Sequence, residues 1–299
     1  MPAELTSPID IGTFGIWSGL VDLHPTSRVL EIVAELDEMG WGCLWRPEST
    51  GREPFVSAAM WLSACDRMAV ATGIAQTYAR HPITTMAAAR TLDEAFPGRF
   101  LLGLGVSHAP LVEGVRKLDY STPLKDMAAH LDAMDATPFA GLAREGRPPR
   151  VLAALGPKML ALAAEKADGA HPYFTTPDHT VIARNVMGPN KFLAPEQMVV
   201  IETDAEVARR IARKNMARYL QLPNYTNNLQ RLGFTEADIA DVSDRLVDAI
   251  VPWGSVDDVV PRIREHLDAG ADHVCIQVLV ETTEVPVASY RALAEALLG

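Results

Sequence analysis

Glu48 and three of the eight histidines, His81, His108 and His171, stand just after short apolar runs. Carboxyl and imidazole groups placed there can move protons when burial or a neighbour tunes them toward neutral pH. Glu48 lies beside Arg46, so the same carboxyl could equally close an ordinary ion pair. Clustered histidines would also suit zinc, but no H-x-H pair accompanies them, and no metal is expected. Gly156-Pro157-Lys158-Met159 points to different chemistry. Proline is at home at a first helical position, whereas a lysine in the first turn faces the positive end of the helix dipole. A bound anion makes that arrangement favourable, since free amides and an ammonium group converge on it. A phosphate-bearing cofactor is therefore expected at this turn. Trp17, Trp45 and Tyr173 could wall a slot for a planar ring, or simply pack.

These residues need elements that bring them together. Ala69 to Ala75 is small, apolar and β-branched, as a strand covered on both faces should be. Pro82 opens a helix that Pro97-Gly98 ends, and Arg99 to Leu104 reads as the next strand. Such a strand–helix–strand unit crosses over right-handed and makes a parallel pair. The same alternation runs through the chain. Strands are expected at 14–17, 43–45, 151–155, 170–173, 198–202 and 273–280, with helices between them. The stretch 222–251 is helical in pattern without a strand, and reads as an inserted layer. Gly40, Gly98, Gly169 and Gly270 each stand where a helix could end in a left-handed residue. Eight strands with alternating helices predict an α/β fold, a (β/α)8 TIM barrel in residues 1–299, with the insertion between strands seven and eight. No G-x-G-x-x-G follows the first strand, which disfavours a doubly wound dinucleotide-binding sheet. In a barrel the carboxyl ends of the strands carry the site, and these ends hold the residues named above.

Composition narrows the function. A net charge of −11 offers no basic stripe for phosphates, so nucleic acid is not an expected partner. No run approaches the ~18 apolar residues of a membrane helix. The opening MPAELTSPIDIG has neither a cationic start nor an apolar run, so a leader is not expected and a cytoplasmic location is. Cys43, Cys65 and Cys275 are isolated in apolar surroundings and read as free buried thiols.

The motifs then resemble those of a known family, the luciferase-like monooxygenases, in the branch that uses the deazaflavin coenzyme F420. The resemblance spans most of the chain. It is carried by Ala71-Thr72-Gly73-Ile74 through Arg80-His81-Pro82, Thr91-Leu92-Asp93 with Pro97-Gly98-Arg99, Leu102-Gly103-Leu104-Gly105, and Leu155-Gly156-Pro157-Lys158-Met159 with Ala167-Asp168-Gly169. It implies a bulge after the third strand, often with a non-prolyl cis peptide, backing the deazaflavin ring at Gly73, Ile74, Ala75 and Gln76. Val106 and Ser107 would meet the ring or its side chain, and Ala154, Leu155, Gly156, Pro157, Lys158 and Met159 would hold the phosphate. Trp17 and His81 would also border the cofactor. A homodimer acting on a small organic substrate is usual for the family.

Many relatives end the second strand in Asp-His or Glu-His, whereas this chain reads Arg46-Pro47-Glu48. Many carry a glutamate after the fourth strand, where this chain has His108. The resemblance therefore moves proton transfer onto Glu48 or His108. Three functions follow: hydride transfer with F420, an FMN-dependent monooxygenase fed by a separate reductase and oxygen, or a cofactor-binding barrel without catalysis.

Overall fold

The computed structural model describes residues 5–299. The first four, part of the opening stretch read for a leader, lie outside it. The strands are β1 (Phe14–Trp17), β2 (Cys43–Arg46), β3 (Ala69–Thr72), β4 (Ala75–Gln76), β5 (Phe100–Gly105), β6 (Arg150–Leu152), β7 (Gly169–Ala170), β8 (Phe192–Leu193), β9 (Glu196–Ile201), β10 (Trp253–Gly254) and β11 (Val274–Val278). All pairings are parallel, in the order β10-β9-β11-β1-β2-β3-β5-β6-β7-β8, with β4 beside β5.

β8 and β9 are one strand interrupted at Ala194-Pro195. Ala194 N still donates to Ala170 O (2.9 Å), and Pro195 O accepts from Cys275 N (3.0 Å). The segment thus pairs with β7 on one side and β11 on the other, which closes the barrel. Counting β3 with β4 as well, and setting the two-residue β10 aside, the barrel has the expected eight strands.

Helices α1 (Thr26–Glu38), α2 (Pro54–Leu62), α3 (Pro82–Ala95), α4 (Pro123–Asp135), α5 (Pro157–Lys166) and α6 (Pro177–Met187) surround the first half. After β9 come α7 (Ala205–Met216), α8 (Pro223–Arg231), α9 (Glu236–Ala240), α10 (Asp244–Ile250), α11 (Val256–Asp268) and α12 (Val287–Leu297). Six of these begin with proline, whose missing N–H costs nothing at a first helical position. The stretch 222–251 is filled by α8, α9 and α10. Their apolar faces pack with Met198, Val200 and Leu279 in a core of their own.

Period-two alternation splits the strand residues between two cores. Leu44, Val70, Leu102 and Leu152 face the helices. Trp45, Ala71, Leu101 and Val151 fill the barrel. The interior accepts bulky tryptophans because its neighbours are small. A Cβ on Gly103 would lie 1.9 Å from Thr72 O, so no side chain fits there.

Three details depart from the sequence reading. α2 was not foreseen: it is apolar nearly all round, so no helical stripe betrayed it. The third strand is not continuous but breaks into β3 and β4 at Gly73-Ile74. Gly40, Gly98 and Gly270 do adopt left-handed φ of +90°, +75° and +99°. Gly169 does not; it is a strand residue whose Cβ would strike Phe192 O at 2.1 Å. Among the described residues all three cysteines are free and buried, and no helix is long and apolar enough to cross a membrane.

One side chain sets the entry to β3. The buried Asp37 carboxylate, at the end of α1, accepts from the backbone N–H of Asp66 (3.0 Å), Arg67 (3.2 Å) and Met68 (2.6 Å). Asp37→Ala leaves those donors unpaired and should lower unfolding stability by about 3 kcal/mol. Urea denaturation checks this, and a loss under about 0.5 kcal/mol would rule the role out.

Candidate active site

The strand ends open into a cavity of about 850 Å³ at the carboxyl face of the barrel. The break between β3 and β4 forms part of its wall, and its Gly73–Ile74 peptide bond is cis. Both sides of the break are pinned. Trp17 Nε1 donates to Gly73 O (3.0 Å), and Glu48 N donates to Ile74 O (3.2 Å). A Cβ on Gly73 would meet Trp17 Nε1 at 3.0 Å and His171 Nε2 at 3.3 Å, so the indole leaves little room for one.

Glu48 borders the cavity, but its carboxylate is committed. Oε2 accepts from Gln76 N (2.6 Å) and from Arg80 Nη1 (2.8 Å), while Oε1 accepts from Arg80 Nη2 (2.7 Å). A nearly buried, two-pronged guanidinium pair of this kind is a structural clamp. Proton transfer by Glu48 would require that pair to open, so the sequence expectation of a catalytic acid or base there is corrected to a positioning role.

His108 follows β5 and also borders the cavity, its ring 5.5 Å from that of Tyr225. Burial pushes its pKa below the usual value, against a bond to Asn224, so the imidazole is neutral at pH 7. Ser107 beside it has φ of +62°, uncommon for a residue with a side chain, and its carbonyl accepts from Tyr120 Oη (2.8 Å).

Of the expected cofactor residues, Trp17, Gly73, Ile74, Gln76, Val106, Ser107, Ala154, Leu155, Gly156 and Met159 line the cavity. Ala75 is buried in the sheet beside Leu104. His81 is exposed and outside the cavity; its Nδ1 accepts from Ile83 N (3.3 Å) and caps α3. Pro157 and Lys158 are exposed and also outside it. Successive helical residues turn by ~100°, so Met159 facing the cavity sends Lys158 away. The cation at this turn is instead Arg231 at the end of α8, whose Nη2 lies 3.8 Å from where a Gly156 Cβ would be. Gly156 supplies no side-chain cap to α5; Pro157 has no N–H and Met159 N donates to Gly156 O (3.1 Å), so the Lys158 N–H is the first-turn donor left for an anion.

The sequence points to 222–251 as shaping the pocket but singles out no residue of the segment after α7. Arg218, Tyr219, Asn224, Tyr225, Asn227 and Arg231 all reach the cavity. A helical pattern alone does not say which face looks down a barrel. The sequence reading also missed Glu196, having started that strand two residues late. This side chain is only 1% exposed at the start of β9, with Oε2 accepting from Phe174 N (3.3 Å) and Oε1 unpartnered. Burial pushes its carboxyl up to about 8, opposed by the Phe174 N–H and by Arg218.

A model of the luciferase-like monooxygenase family matches residues 11–273. A Mycobacterium tuberculosis protein provisionally named a coenzyme F420-dependent oxidoreductase is 30% identical over 193 residues, 54% of this chain and 56% of that protein. The chain thus aligns with little more than half the length of that relative. The 5,10-methylenetetrahydromethanopterin reductase of Methanolobus tindarius is 24% identical, across 88% of this chain and 93% of its own. Among solved structures, an F420-dependent secondary alcohol dehydrogenase in complex with an F420–acetone adduct superposes with a TM-score of 0.75 at 14% identity, covering 96% and 98% of the two chains.

The native state holds a proton on Glu196 that the unfolded chain, at an ordinary 4.5, releases. Stability is therefore lost as pH rises from the unfolded value through the folded one. Glu196→Gln removes that loss, so the variant should gain on the parent between about pH 5 and about pH 8, by about 2 kcal/mol or more at the upper end. Urea midpoints at both pH values check this; parallel changes in the two proteins would show the carboxyl already ionised in the fold.

Proposed function

We propose that this chain, which belongs to the luciferase-like monooxygenase family, is an F420-dependent oxidoreductase acting on a small organic substrate. The observation that carries the reading is a single cavity joining two features. One is the pinned Gly73–Ile74 break beside Trp17, a flat wall for a planar ring. The other is the uncapped start of α5 with Arg231 beside it, a place for a phosphate. The residues present therefore fit a phosphate-bearing deazaflavin. Similarity to two proteins named for F420 favours that cofactor over FMN.

When bound, the cofactor supplies hydride chemistry. The chain supplies the rest. The Glu48–Arg80 pair holds the wall at the break, so the ring is oriented by rigid backbone rather than by a mobile side chain. His108, neutral at pH 7, presents an imidazole that can take or give a proton at the cavity side of β5. Tyr225, packed against it, keeps water from one face of that ring. The roles of a homodimer and of a cytoplasmic setting remain part of the proposal carried by the family.

Titrating the protein separately with oxidised F420 and with FMN, followed by intrinsic tryptophan fluorescence, tests the cofactor. F420 should bind at micromolar concentration or below and more tightly than FMN. Arg231→Ala should weaken it by about tenfold or more, equivalent to about 1.4 kcal/mol. Lys158→Ala should leave it unchanged. Preference for FMN would move the protein to the oxygenase side of the family, and binding of neither would remove the reading.

A further inference from the structure

Across the cavity from the break, a chain of hydrogen bonds runs in one direction. Arg218 Nη2 donates to Tyr219 Oη (2.5 Å), which lies 2.5 Å from Tyr173 Oη, and Tyr173 Oη donates to Gln277 Oε1 (2.8 Å). Arginine can only donate and an amide oxygen can only accept. The intermediate proton is therefore fixed, with Tyr219 donating to Tyr173. Turning the amide over would leave the Tyr219 hydroxyl proton without an acceptor in this chain, so satisfaction selects the stated orientation. Gln277 sits on β11 and is 8% exposed, yet its Nε2 donates to no protein acceptor among the described residues. That nitrogen is not among the sealed, unpartnered atoms of the interior, and the residue borders the cavity, so the amino group is open to it.

We infer that Gln277 Nε2 receives an oxygen atom of the substrate, and that the substrate is a small apolar molecule bearing a neutral carbonyl group. The inference rests on the oxidoreductase reading for its name of substrate, though not for the binding site itself. Placement separates this site from the proposed cofactor residues. Apart from Trp17 on β1, those lie at β3, β4, β5, β6 and the start of α5, while β11 is on the far side of β1 and β2 in the sheet order. Trp17 stands between them, its ring 4.9 Å from Tyr173 and its Nε1 on Gly73 O. The walls beside Gln277 are apolar: Trp17, Val278 and Leu279 are nearly buried and border the cavity. An unpaired amide donor in such a wall favours a partner with an accepting oxygen and rejects an analogue that lacks one. The choice of a neutral group follows from charge. The group bonded directly to Gln277 is the neutral Tyr173 phenol, and Arg218, which also borders the cavity, is engaged with Tyr219 and Tyr173, so no cation is aimed at Gln277 Nε2 itself.

The test compares cyclohexanone with methylenecyclohexane, a match in shape without the acceptor, by ligand-observed NMR on the whole chain. The ratio of their dissociation constants should shift about tenfold against the ketone in Gln277→Leu, and in Gln277→Met, which guards against a folding artefact. The affinity of both variants for F420 should stay unchanged. An unshifted ratio in a folded variant would overturn the inference, as would failure of the parent protein to take either ring. Tighter binding of cyclohexanecarboxylate than of the ketone would overturn the substrate class. Loss of F420 affinity in Gln277→Leu would assign the residue to the cofactor instead. If the parent binds no F420 but the ratio shifts, the oxygen site stands and the cofactor reading falls.

Discussion

The interruption of one strand governs the architecture of this cavity. Between β3 and β4 the backbone leaves the ladder at Gly73-Ile74, and its freed carbonyls must find partners. They find them on either side, in the Trp17 indole from β1 and the Glu48 amide after β2. Glu48 then ties its carboxylate to Gln76 and Arg80, on the far side of the break. Three elements distant in sequence are thereby locked around one peptide bond. A cofactor lying against that wall would meet a surface already organised before binding, which lowers the entropic cost of association.

Beneath this wall the barrel is filled with aromatic and imidazole rings rather than aliphatic layers alone. Trp45 stacks on His171 at 4.4 Å between centroids and donates through Nε1 to His273 Nε2 (3.0 Å). Nδ1 of each histidine bonds a backbone carbonyl, Ala194 O for His171 and Gly12 O for His273, both at 2.7 Å, while His171 Nε2 has no partner. Burial holds both near 4, so they are neutral donors and acceptors. A charged imidazole there would cost more than its bonds return. His273 serves packing, whereas His171 also borders the cavity, so His108 and His171 are the imidazoles that line it.

Electrostatics divide the molecule in a simple way. The chain carries a net charge of −11, yet two cations at the cavity bond only to neutral groups: Arg231 to the Asn228 amide and Arg218 to the Tyr219 phenol. Both come from the helical segment after β9. The barrel thus supplies a rigid wall and the added helices supply the charge and much of the aromatic lining. Change in these helices could alter what is bound without disturbing the barrel.

The strands and most helices were legible because their causes are local. Prolines at helix starts, glycines at three of the four helix ends and short runs of buried β-formers act within a few residues of themselves. The family motifs, read in order, also placed a bulge within Gly73 to Gln76, where the strand breaks, and pointed to the turn at Gly156. Direction and pairing were not legible. That Lys158 points outward while Arg231, over 70 positions later, reaches the turn at Gly156 depends on how α8 crosses the mouth of the barrel. That Glu48 is held by Arg80, and that Gln277 keeps a free amide, depend on contacts between strands whose register no single segment encodes. Sequence alone determined the class of fold and the family, since both rest on patterns along the chain. Only the tertiary structure decided which polar groups are spent on one another and which are left for a ligand, because hydrogen bonds are exclusive and their partners are settled by distance in space.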